Sequence, residues 1–93
     1  MTTHRDDAAG IFTLDLVGGG KAFANFRKRG DALVVTHTEV PVQLEGRGHG
    51  SALMRALLDD VRARGEKVVP LCSFVLAYMR RRPETKDLLA HDL

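Results

Sequence analysis

The chain has 93 residues, enough for one small domain spanning 1–93 but not for a second core, and its 44% hydrophobic and 28% charged content excludes a disordered chain. Fourteen Lys and Arg stand against 12 Asp and Glu; that near balance is no nucleic-acid footprint, although the small positive surplus suits an anionic ligand. The lone cysteine, Cys72, excludes an internal disulfide framework and fits a reducing, cytoplasmic compartment, and no apolar run is long enough for a membrane span.

Residues 1–9 read as a flexible start, with Asp6 and Asp7 where a signal peptide would need its apolar segment. From Ile11 to Val17, Phe12, Leu14 and Leu16 alternate with Thr13 and Asp15, the period of a half-buried strand, and Gly18-Gly19-Gly20 ends it. Lys21 to Lys28 forms a second strand in which Phe23 and Phe26 fall on opposite parities, implying a bulge or burial on both faces. Leu33 to Val40 is a third strand, with Leu33, Val35, His37 and Glu39 on one face. Beyond a glycine loop, Leu53, Met54, Leu57, Leu58 and Val61 recur at helical spacing until Gly65. Lys67 to Cys72 is a short apolar run of the kind that forms a buried parallel strand, joined to the third by a right-handed crossover. Ser73 then caps a last helix to about Arg81, with Phe74, Val75, Tyr78 and Met79 inward, and Pro83 interrupts it. The fold class is α+β: an antiparallel N-terminal meander, a parallel strand-helix-strand unit and a C-terminal helix.

The loop Glu45-Gly46-Arg47-Gly48-His49-Gly50-Ser51 has more glycine than a turn needs. Glycines let backbone N–H groups approach a ligand, and the following helix points its positive end at the same place, so the loop reads as a pyrophosphate cradle. A dinucleotide fingerprint would need glycine at Ser51, and a triphosphate loop would need a lysine before it. Neither fits.

The register Gly-x-Gly-x-Gly-Ser-Ala-Leu after an extended Val40-Pro41-Val42 resembles the coenzyme A motif of the GNAT superfamily of N-acetyltransferases. Glu45 stands where that motif has Gln or Arg, and His49 where it is aliphatic. Together with Val35 to Pro41, Val69 to Val75 and Arg82-Pro83-Glu84, the loop resembles the minimal GNAT-like family of about one hundred residues; these matches span 35–84, and Arg82 departs from the usual histidine. The resemblance implies a GNAT-like mixed sheet, acetyl-CoA as cofactor, and a histidine and a cysteine beside the acetyl group, which map to His37 and Cys72. The coenzyme would be held by Val40, Val42, Gly46, Arg47, Gly48, His49, Gly50 and Ser51.

The residues support the same pair. His37, in mid-strand, and Cys72, at the end of the parallel neighbour and before a helix N-terminus that lowers a thiol pKa, are expected to converge on the loop. His37 would serve as general base for an amine, or Cys72 would accept the acetyl group first. The expected partner is a small-molecule or protein amine, bound by a monomer or homodimer, with no nucleic acid, no membrane and no metal; His49 and His91 lack ligand spacing to the pair. The competing reading is a non-catalytic acyl-CoA-binding or sensing module. Arg80-Arg81-Arg82 reads as a solvated face or as a contact for an anionic group.

Overall fold

The computed structural model describes residues 2–90; His91 lies outside them. Five strands form one sheet in sequence order: β1 (Thr3–Asp6), β2 (Ile11–Asp15), β3 (Lys21–Arg29), β4 (Ala32–Glu39) and β5 (Lys67–Pro70). The first four pair antiparallel and β5 adds parallel to β4, giving the expected mixed sheet. Helix α1 (His49–Ala63) is the crossover between β4 and β5, and α2 (Ser73–Arg80) follows β5. Leu53, Met54, Leu57, Leu58 and Val61 of α1 are all buried, against Phe12, Leu14, Ala22, Ala24 and Phe26 of the sheet and Val75 and Met79 of α2. Each fully buried aliphatic side chain of this kind contributes roughly 1.5–3 kcal/mol.

Three local expectations are corrected. The start of the chain is not loose from Thr3 onward: β1 pairs along β2 from Thr3 opposite Leu14 to Asp6 opposite Ile11. Its anchor is Arg5, whose Nη1 donates to Asp60 Oδ2 at 2.9 Å and to Glu66 Oε1 at 2.8 Å, while Nη2 donates to Glu66 Oε2 at 2.9 Å. Lys28 donates to the same carboxylate, and the Arg5 guanidinium lies 5.4 Å from the centre of the Phe26 ring. Secondly, Val40-Pro41-Val42 does not continue the strand: Val42–Leu44 is one 3-10 turn. Thirdly, Ser73 is the first residue of α2 rather than its cap, a position taken by Cys72, and Phe74 is 38% exposed instead of inward.

A fourth difference matters for the site. Asn25 faces His37 but the next residue, Phe26, faces Val35, so Thr36 is the extra residue of a bulge in β4. β3 itself alternates without interruption, with Ala22, Ala24 and Phe26 buried and Phe23 and Asn25 half-buried; its two phenylalanines mark burial on both faces. Across the bulge the parity of β4 flips. Leu33 and Val35 point to the helices, yet the next residue to face them is Thr38, three positions on and opposite the buried Ala24, and not His37.

Glu66 is only 8% exposed, and its pKa is lowered to about 2: the Arg5 hydrogen bonds exceed the upward push of burial, with Lys28 adding to them. A carboxylate depressed in the folded state stabilises it above its unfolded pKa and ceases to do so as the pH falls through the folded value. Glu66→Gln is therefore expected to cost about 2 kcal/mol at pH 7, with the difference from wild type closing between about pH 4.5 and about 2. Chemical denaturation across that window measures it.

Candidate active site

β4 runs on past the end of β5. The parallel register covers Ala32–Lys67 to Val35–Pro70, and the N–H groups of Leu71 and Cys72 both donate to Val35 O, at 3.1 and 3.0 Å, before the chain turns into α2. Thr36 to Glu39 consequently have no strand on that edge.

A cavity of about 400 Å³ opens beside this edge, lined by Thr38, Glu39 and Val40, by Leu44 to Gly46, by Gly48 to Ser51 and by Leu53 and Phe74. The first intrahelical bond of α1 is Ala52 N–H to Gly48 O, at 3.0 Å, so the N–H groups of His49, Gly50 and Ser51 precede the hydrogen-bond ladder. No side chain caps them and no acidic residue occupies the first turn. That end of the helix carries partial positive charge facing the cavity wall.

The glycines divide into two kinds. Gly46 and Gly48 both have φ +81°, the left-handed region, while a Cβ on either would meet nothing within 4 Å. Conformation demands glycine there and leaves space over the backbone. Gly50 is helical, and its Cβ would come within 2.8 Å of Phe74 Cζ. A Cβ there would press on the Phe74 ring where it crosses the first turn of α1, a constraint that only the tertiary structure supplies.

Six of the eight residues expected to hold a coenzyme line this cavity: Val40, Gly46, Gly48, His49, Gly50 and Ser51. Val42 and Arg47 do not; Val42 is 79% exposed on the 3-10 turn, and Arg47 is exposed in the loop. The fit to a pyrophosphate is good where it rests on backbone. Glu39 and Glu45, both on the cavity wall, are the adverse charges.

His37 and Cys72 are not brought into contact. After the bulge, His37 faces away from the helices, its ring 6.1 Å from that of Phe23 and its Nε2 donating to Glu39 Oε1 at 3.3 Å. Cys72, half-buried, meets Thr38 instead: Thr38 Oγ1 and Cys72 Sγ are 3.5 Å apart. Burial pushes the Cys72 thiol up, but hydrogen bonding from the Thr38 hydroxyl and from the backbone N–H groups of Val75, Phe74 and Thr38 outweighs it, leaving the thiol below its ordinary range. The sequence held no signal for Thr38, because a strand threonine is ordinary.

Tyr78 is buried and Arg82 lies over its ring at 4.7 Å, in a second groove along α1. In that groove Arg62 is already paired with Asp87. Among the described residues no group of three or more His, Cys, Asp or Glu could hold a metal, and no helix is long and apolar enough to cross a membrane.

The family model for GCN5-related N-acetyltransferases matches residues 11–88, and the chain belongs to that family. Its fold is similar to the NMR solution structure of a GCN5-like protein from Staphylococcus aureus, with a TM-score of 0.70 at 22% identity over 98% of this chain and 92% of the other. None of the curated protein sequences matches the chain. Family and fold support a general acetyltransferase role.

The packing of Phe74 on Gly50 is open to a double-mutant cycle. In a Phe74→Ala background, Gly50→Ala should gain roughly 0.5–1 kcal/mol from helix propensity; with the ring present the gain should shrink or reverse. Equal gains in urea melts of both backgrounds would remove Phe74 as the reason for glycine.

Proposed function

We propose that this protein is an acetyl-CoA-dependent N-acetyltransferase acting on an amine, and that its two candidate functional groups work from opposite faces of β4. The observation that carries this reading is the end of the β4–β5 pairing at Val35 and Pro70, which leaves an open strand edge leading to the uncapped N-terminus of α1. The N–H groups of His49, Gly50 and Ser51 would hold the pyrophosphate, with Gly46 and Gly48 keeping the approach clear and the exposed Arg47 screening Glu45 from outside. Val40 and the edge of Thr36 to Glu39 that faces away from β3 would hold the amide-bearing arm, as a strand would. Bound in this way, the coenzyme supplies an activated thioester.

His37, exposed on the face away from the helices, stands where an acceptor can arrive from solvent and would take the proton of the attacking amine. Glu39, accepting from its Nε2, orients the ring. Cys72, against Thr38 on the helix side of β4, would give a proton to the thiolate that departs from the thioester. A cytoplasmic setting and a monomer or homodimer accord with the lone free thiol and the small size.

Coenzyme A in hundredfold excess over its Kd should stabilise the fold by about 3 kcal/mol and raise Tm by more than about 5 °C. Gly48→Ala, strained at its positive φ, should lose both part of the basal stability and most of that shift. No shift with coenzyme A or acetyl-CoA would sink the assignment. On a broad amine panel, His37→Ala should lower kcat/KM at least about a hundredfold; a Tm shift without turnover by the wild type would instead make the protein an acyl-CoA-binding module.

A further inference from the structure

We infer that Thr38 is the positioning residue of Cys72, placed there by the bulge at Thr36, and that His37 takes no part in activating the thiol. Without the bulge, strict alternation from Val35 would carry His37 to the helix face and Thr38 to the other. With Thr36 inserted, the β-hydroxyl of Thr38 reaches the cavity wall on one side and Cys72 Sγ, at 3.5 Å, on the other. The hydroxyl holds the sulfur at the point where β4 and β5 part. As a donor it favours the thiolate; as an acceptor it directs the S–H when the thiol is neutral.

The groups around the sulfur are few. From β4 come the hydroxyl and N–H of Thr38, and from the start of α2 the N–H groups of Phe74 and Val75. His37 and Glu39, the titratable groups of β4, are bonded to each other after the bulge, and Cys72 otherwise packs against the hydrophobic core. Thr38 is thus the one side chain that hydrogen-bonds Cys72 among the described residues.

This inference rests on the proposed reading for its importance but not for its test, which needs no acetyl-CoA. The rate of Cys72 alkylation by iodoacetamide is followed from pH 6 to 10 in the wild type, Thr38→Val, Thr38→Ser and His37→Gln, with urea melts of each. Thr38→Val, close in shape and lacking the donor, should move the midpoint to higher pH and slow alkylation about tenfold at pH 7.5. Thr38→Ser should retain the wild-type profile, and His37→Gln should leave the midpoint in place. An unchanged midpoint in Thr38→Val overturns the inference, as does a shift in His37→Gln as large as that in Thr38→Val. If Thr38→Val is too unstable to measure, a shifted profile in Thr38→Ser overturns it and a retained one, with His37→Gln unmoved, supports it. A separate arm repeats the wild-type measurement with coenzyme A; lack of protection there counts against the coenzyme site and leaves the role of Thr38 standing.

Discussion

The parallel pairing of β4 and β5 lasts only four residues, and the rest of the site depends on where it stops. At Val35 O two successive amides, Leu71 and Cys72, share one acceptor, which turns the chain away from β4 and into α2. Everything chemical lies just beyond that point: the bulge at Thr36, the open edge to Glu39, and Cys72 at the N-terminal boundary of α2. Longer pairing would bury the edge in a ladder, and shorter pairing would cost the buried contacts of Val68 with the core.

The bulge adds a second constraint. One extra residue reverses which side chains of β4 meet the helices, and so it separates His37 and Cys72 onto different faces while uniting Thr38 with Cys72. In the proposed reading, a two-group site divided by this strand would be approached from two directions. That arrangement suits a chain too small to build a walled acceptor pocket.

Much of this was legible in the residues. Period-two alternation marks β2, β3 and β4, the 3.6 period of Leu53 to Val61 marks α1, and the glycine density after Glu45 marks the loop on the cavity. What was not legible depends on partners distant in sequence. The phenylalanine parity in β3 signals a two-faced strand equally well as a bulge, so nothing local places the extra residue in β4. Val42 looks like a strand continuation because β-branched residues favour strands, but Pro41 precedes a 3-10 turn. Gly50 resembles its neighbours in the loop, yet it answers to Phe74, 24 positions on.

Arg5 illustrates the same point at the start of the chain. Beside the neighbouring Asp7, its acceptors lie 55 and 61 residues away, so a charged, unpromising N-terminus becomes the counterion of a buried carboxylate. The family match begins at Ile11, whereas the interlocked unit begins at Thr3. A protein trimmed to the matched span would keep every residue of the candidate site and still carry Glu66 with only Lys28 opposite it. For anyone dissecting such minimal domains, the boundary that matters is electrostatic, and it falls at Arg5, six residues before the one that sequence similarity draws.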